Sequence, residues 1–150
     1  MNMSVDLIFI RDRPRIPLVK SPKLYFYDTG LLCYLLGIRH AEDVAIHSLR
    51  GAIFETYAVA ELAKACCNAG IEPPLYFWRD SQGHEIDIVI EDGETLFPVE
   101  IKSGQTVVST MFDTLKWWQE LTGASDAALL YGGGESYLRQ GIKVRPWFYV

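Results

Sequence analysis

Two carboxylates and one amine, from two neighbouring segments, are the side chains of this sequence that could do chemistry together. Asp87 lies near the start of one strand-like run, and Glu100 and Lys102 lie at the end of the next. The Asp-Gly-Glu tripeptide at 92–94 is typical of a hairpin turn, so we expect antiparallel strands that bring Asp87 close to Glu100. Glu100 and Lys102 are two residues apart and therefore point to the same face of their strand. These side chains predict a site that holds a divalent cation and activates a water molecule beside it.

A further carboxylate, Glu55, is expected to reach the same site from a helix. It lies in the first turns of the alanine-rich segment 51–70, whose apolar spacing is helical and almost continuous around the helix. A carboxylate among apolar neighbours is costly unless it is paired or bound to a metal ion. We therefore predict Asp87, Glu100 and Glu55 as ligands of Mg²⁺ or Mn²⁺, with Lys102 beside the attacking water or the developing phosphate charge.

Each of these residues also has an interpretation without catalysis. Asp87 and Glu100 can belong to a solvated strand face with Lys102 as their counter-ion, which strand alternation alone would produce. Glu55 can pair with Arg50, or it can stabilise the start of its helix, where the helix dipole favours an acidic side chain.

The segments that must position these side chains follow one another in the order helix, three strands, helix, strand. Hydrophobic spacing and breaker residues predict a helix over 51–70, strands over 75–79, 85–91 and 95–102, a helix over 110–121 and a strand over 127–131. A last strand is expected over 142–150, where Pro146 indicates a sheet edge.

Alternation in the two central strands predicts the buried face of the sheet. Ile86, Ile88 and Ile90 alternate with polar residues in one strand, and the apolar residues of 97–101 do the same in the next. We expect both sets to share one buried face and Glu85 to lie exposed on the other.

The bulk composition indicates an ordinary globular chain with an acidic balance. The 150 residues are 49% hydrophobic and 22% charged, which is typical of a single soluble domain. No apolar run approaches the roughly 20 residues of a membrane span, and the first residues do not form a secretory signal, so we expect a cytoplasmic protein without a membrane partner. The net charge of -5 argues against a surface that is basic throughout and binds nucleic acid by electrostatics alone.

The first 40 residues differ from the rest of the chain. An apolar run at 5–10 fits a strand or a helix end, and the segment 11–17 holds two prolines and three arginines, which resist regular structure. Asp28 is expected to cap a short helix that ends at Gly37. We therefore expect a helical or irregular N-terminal extension over 1–40 and the domain proper over 41–150.

Four stretches, taken in order, resemble a known family. They are SPKLYFYDTGLL at 21–32, GAIFE at 51–55, YFWR at 76–79 followed by EID at 85–87, and PVEIKSG at 98–104. The set resembles the PD-(D/E)XK nuclease superfamily. It is more closely similar to the domain of unknown function DUF4143, which follows an AAA+-type ATPase module in many bacterial and archaeal proteins.

This resemblance implies an α/β fold with a restriction-endonuclease-like core, in which helices flank a mixed central sheet in the order α-β-β-β-α-β. It implies a magnesium-dependent phosphodiester cleavage site at Glu55, Asp87, Glu100 and Lys102. Asp87 follows an isoleucine rather than the proline that gives the motif its name, a departure that the superfamily tolerates. The sequence holds no Walker motif, so we interpret 1–40 as the remnant of a linker to a missing ATPase module.

Three functions follow from these observations. The first is a metal-dependent nuclease-like domain that acts on DNA. The second is a catalytically inactive module of an ATPase that recognises nucleic acid or protein, which the acidic net charge favours. The third is an interaction domain whose apolar N-terminal region docks the ATPase, another partner or a second copy of the chain in a homodimer.

Overall fold

The computed structural model describes the backbone of residues 7–12 and the whole of residues 22–149. The strands are β1 Leu7–Asp12, β2 Lys23–Phe26, β3 Leu75–Arg79, β4 Glu85–Asp92, β5 Thr95–Lys102, β6 Ala128–Tyr131, β7 Tyr137–Arg139 and β8 Ile142–Pro146. The helices are α1 Thr29–Leu35, α2 Ala41–Ile46, α3 Arg50–Asn68 and α4 Asp113–Thr122. Among these described helices, none has the length and apolar character needed to cross a bilayer.

The strands form one mixed sheet in the order β2-β1-β3-β4-β5-β6-β8-β7. The central strands β3, β4 and β5 are antiparallel, whereas β6 runs parallel to β5 and β8 runs parallel to β6. The predicted α/β fold with a mixed sheet is therefore confirmed, and the elements from α3 to β6 follow the predicted order α-β-β-β-α-β.

Apolar side chains cover both faces of the sheet. On β6, Ala128 and Leu130 belong to the cluster that α3 covers, whereas Leu129 belongs to the cluster that contains Leu115 of α4. Neighbouring residues of a strand point to opposite faces, so α3 and α4 lie on opposite sides. The central strands are consequently enclosed, and a polar side chain among them must find a partner inside the fold.

Strand β4 changes its facing partway along. Ile88 and Ile90 pack in the α3 cluster, as do the apolar residues of β5 that were predicted to share their face. Ile86, however, packs with Val89 in the α4 cluster. The prediction that Ile86 lies on the face of Ile88 and Ile90 is therefore wrong.

The cause is an irregular register between β3 and β4. Tyr76 pairs with Val89 and Trp78 pairs with Ile86, so two steps along β3 correspond to three along β4. One extra residue on a strand is a β-bulge, which bends the strand and redirects a side chain. The bulge contains Asp87, so the strand is irregular where the predicted site lies.

The N-terminal segment belongs to the sheet. β1 pairs antiparallel with β2 and parallel with β3. The described part of the apolar run at 5–10, which was left open between strand and helix, is therefore a strand, and the segment is not only helical or irregular. The short helix α1 starts as predicted, because Oδ1 of Asp28 accepts a hydrogen bond from the backbone N–H of Leu31 at 2.9 Å. Most of the predicted irregular segment 11–17 lies outside the described residues.

The C-terminal part differs from the prediction in two ways. β8 lies between β6 and β7, so it is not an edge strand, and its last residue is Pro146, which pairs with Tyr131. The predicted strand stops there, because residues Trp147–Tyr149 form a single 3₁₀ turn. The three-residue strand β7 was not predicted, since it is too short to show an alternating pattern.

Candidate functional site

The β4–β5 hairpin brings Asp87, Glu100 and Lys102 into one cluster. The register pairs Ile88 with Val99 beside the cluster. Nζ of Lys102 donates a hydrogen bond to Oε1 of Glu100 and lies 3.9 Å from Oδ2 of Asp87. One ammonium therefore contacts both carboxylates, as the turn and the strand spacing predicted.

Asp87 is held at the bulge by the neighbouring strand. Its Oδ2 accepts a hydrogen bond from the backbone N–H of Ile101 at 2.8 Å, and 14% of its side chain is exposed. Burial, followed by the negative charges of Glu100 and Glu55, raises the pKa of Asp87 to about 7, although Lys102 opposes the rise. The ionised form is therefore costly in this environment, and a bound cation would favour it.

Glu100 is the more deeply buried of the two carboxylates. Lys102 satisfies Oε1, but Oε2 is enclosed and has no hydrogen-bond partner among the described residues. Burial raises the pKa of Glu100, and the charge of Lys102 lowers it in part. An enclosed carboxylate oxygen without a partner costs free energy, and hard divalent cations bind such oxygens. The residues present thus fit a divalent cation held by Asp87 and Glu100.

Glu55 is tied to a different part of the fold. Its Oε1 accepts hydrogen bonds from Nζ of Lys23 at 3.0 Å and from the hydroxyl of Tyr25 at 2.5 Å. The predicted alternative, an ion pair with Arg50, is not formed, because the Arg50 guanidinium donates instead to backbone carbonyls of residues 45 and 103. Glu55 is thus paired with β2, although it is close enough for its charge to raise the pKa of Asp87.

The predicted set of three carboxylate ligands is not assembled around one point. Within the described part of the chain, no group of three or more His, Cys, Asp or Glu side chains is arranged to hold one metal ion. The reason is local: Lys23 and Tyr25 hold Glu55, whereas Lys102 links Asp87 with Glu100. The pair of carboxylates on the hairpin is therefore the candidate ligand set.

Sequence reasoning missed three residues of this cluster. Lys23 and Tyr25 lie two apart on β2, and Nζ of Lys23 also contacts Oε1 of Glu85. Glu85, which was expected to be exposed, is half-buried between Lys23 and Arg79, with Arg79 Nε 3.6 Å from its Oε2. One signal was available, namely a lysine and a tyrosine in alternation within an otherwise apolar strand.

A wide groove of about 1360 Å³ opens next to the end of β5. Its floor includes Gly104, two residues after Lys102, and its walls come from α1, α2 and the first turns of α3. The described residues that line it carry basic groups, at Arg39, His40 and Arg50, and no Asp or Glu. The rest of the lining is largely apolar, so in a chain of net charge -5 the groove combines an apolar surface with a local basic charge.

Comparison with known proteins gives a family and two relatives. The family described as "Domain of unknown function (DUF4143)" matches residues 50–149. The uncharacterized proteins Rv2008c of Mycobacterium tuberculosis and Mb2031c of Mycobacterium bovis are each 38% identical over 88 residues, which is 58% of this chain and 19% of the relative. The chain thus spans only a small part of the curated relatives it matches. No solved structure matches it.

Proposed function

We propose that this chain, which belongs to the DUF4143 family, is a nuclease-like domain that binds a divalent cation at Asp87 and Glu100 and hydrolyses phosphodiester bonds of DNA. One observation carries the proposal. The largely buried Asp87 and the buried Glu100, whose Oε2 has no hydrogen-bond partner in the described part of the chain, share the ammonium of Lys102 on adjacent strands. A PD-(D/E)XK-type site, which the sequence resembles, would use these residue types in this order.

Each side chain has a definite task in this proposal. Asp87 and Glu100 hold Mg²⁺ or Mn²⁺, which when bound lowers the pKa of a coordinated water and offsets charge on the phosphate. Lys102 has three N–H donors, so its ammonium can keep Glu100 oriented and also donate to an oxygen of the scissile phosphate. Glu55, which Lys23 and Tyr25 hold in place, would act on the site through its negative charge.

The groove at the end of β5 provides a path for the anionic substrate. Arg39 and Arg50 contribute charge, no Asp or Glu stands among the described residues of the lining, and Gly104 of the lining is two residues after Lys102. A polyanion lying there would bring a phosphate to the cluster while avoiding the acidic remainder of the surface. We propose that an AAA+-type ATPase module, which DUF4143 domains commonly follow, lies in the part of the longer relatives that this chain does not cover.

The test is a cleavage assay of the full chain on linear, branched and single-stranded DNA with Mg²⁺ or Mn²⁺, combined with calorimetric titration of Mn²⁺. Asp87→Asn and Lys102→Met should each reduce cleavage by at least about 100-fold, as expected when one transition-state contact is lost. Asp92→Asn changes an exposed carboxylate at the end of the same strand and should leave cleavage intact. The proposal fails if the unmodified chain neither cleaves any of these substrates nor binds Mn²⁺.

A second candidate is a recognition module that has kept the fold without the chemistry. The net charge of -5 and the pairing of Glu55 with β2 rather than with the other acids favour it. In that case Asp87→Asn should leave DNA or protein binding unchanged in EDTA, and added Mn²⁺ should have no effect on that binding.

A further inference from the structure

The acidic cluster contains a second ammonium, that of Lys23, for which the sequence predicted no role. Nζ of Lys23 lies 3.0 Å from Oε1 of Glu55 and also contacts Oε1 of Glu85. The two carboxylates come from different elements, α3 and β4, and meet at this one nitrogen. The cluster therefore consists of two units, each with two carboxylates around one lysine amine.

Lys23 is fixed in this position from several sides. Its backbone lies opposite Ile10 in the β1–β2 ladder. Its ammonium lies 5.7 Å from the centre of the Phe77 ring, at a distance typical of a cation–π contact. Tyr25, two residues along the same strand, bonds the same oxygen of Glu55. The ammonium is thus held by its strand, by an aromatic ring and by two carboxylates.

We propose that the ammonium of Lys23 is a permanent cation of this site, which fills the position between Glu55 and Glu85 that a second divalent ion would otherwise take. In nucleases that use two metal ions, the second ion adds positive charge that helps to stabilise the attacking and leaving oxygens. Here a side chain of fixed position supplies that charge, so the site accepts one exchangeable ion. This rests on the proposed function, which places that ion at Asp87 and Glu100.

The charges around Lys23 favour the protonated form of its amine, as a permanent cation requires. Burial lowers the pKa of Lys23, but the charges and hydrogen bonds of Glu55 and Glu85 outweigh that effect and raise it. The amine therefore stays protonated across the range in which a nuclease would work. Lys23 and Tyr25 also lie outside residues 50–149, the part that the family matches. Two residues of the cluster are thus supplied by a segment outside the matched region.

The number of bound ions tests the proposal. Mn²⁺ is titrated into the full chain, and the count is read from the electron paramagnetic resonance signal of free Mn²⁺ and from calorimetry. We expect one ion for the unmodified chain and one for Lys23→Arg, which keeps the charge. We expect two for Lys23→Met, which keeps an apolar stem against Phe77 but frees the two carboxylates. Lys64→Met removes a lysine from a partly exposed pair with Glu61, away from this cluster, and should leave the count at one.

Other outcomes separate the two proposals. The role of Lys23 would be overturned if the unmodified chain bound two ions. It would also be overturned if the unmodified chain and Lys23→Met each bound one ion. No ion in the unmodified chain but one in Lys23→Met would overturn the Asp87–Glu100 site and support Lys23 as the resident cation. No ion in either would overturn both. If Lys23→Met does not fold, Lys23→Gln decides, because it also removes the charge between Glu55 and Glu85: it should bind two ions, and a count of one would contradict the proposal.

Discussion

Replacing Asp87 with asparagine should stabilise the protein when no divalent ion is present, and it should remove the stabilisation that such ions provide. The pKa of this carboxyl is raised from 3.8 to about 7, so ionising it costs more in the folded chain than in the unfolded chain. Well below pH 3.8 the carboxyl is protonated in both states and contributes no difference. As the pH rises toward 7, the unfolded chain ionises first, and the folded chain loses stability relative to it.

The size of the effect follows from the same numbers. A change from 3.8 to about 7 corresponds to at most about 4 kcal/mol above pH 7, at about 1.4 kcal/mol per pKa unit. Asparagine can still accept the hydrogen bond from the N–H of Ile101, but Lys102 loses a charged partner 3.9 Å away. We therefore expect a net gain of about 1–3 kcal/mol at pH 8 and a small difference at pH 4.

Urea unfolding at pH 4, 6 and 8 in EDTA measures this gain, with Asp92→Asn as the control for loss of an exposed carboxylate from the same strand. Adding Mn²⁺ at about 100 times its dissociation constant should stabilise the unmodified chain by about 2.7 kcal/mol, and Asp87→Asn should lose most of that effect. If Asp87→Asn is less stable than the unmodified chain at pH 8 in EDTA, Asp87 is an ordinary ion-pair partner of Lys102, and the reasoning is wrong.

Three further predictions concern the partners of this carboxylate. Lys102→Met should bind Mn²⁺ several-fold more tightly by calorimetry, because a competing cation is removed, while its cleavage rate falls; weaker binding would contradict this. Tyr25→Phe should lower the free energy of unfolding by about 1–2 kcal/mol through loss of its hydrogen bond to Glu55, whereas Tyr34→Phe, at a ring that is 60% exposed, should change it little. Glu55→Gln should lower the pKa of Asp87 in a carbon-13 NMR titration, since the charge of Glu55 helps to raise it; an unchanged pKa would show that burial and Glu100 suffice.

The parts of the site that depend on local rules were predictable from the sequence. The period of two placed Glu100 and Lys102 on one face, and the hairpin turn placed Asp87 beside them. Both rules act within about fifteen residues, and the structure brings the three side chains together. The N-cap of α1 at Asp28 is local in the same way, and it was predicted for the same reason.

The parts that depend on distant partners were not predictable. The facing of Ile86 depends on how β4 pairs with β3, and a bulge is created by that pairing rather than by the β4 sequence alone. The bond between Lys23 and Glu55 joins residues 32 apart in the chain. Strand spacing describes the faces of β2 but not its position in the sheet, so Glu55 was assigned to the metal ligands instead of to Lys23.

The position of β1 determines the shortest fragment of the chain that can be expected to fold in isolation. Because β1 lies between β2 and β3 in the sheet, the N-terminal strands are inserted against the central sheet and are not an appendage of it. A fragment cut at residue 50, the start of the matched family region, would leave one side of β3 with unpaired N–H and C=O groups, which favours aggregation. Recombinant versions and domain fusions of this chain therefore need their upstream boundary before residue 7.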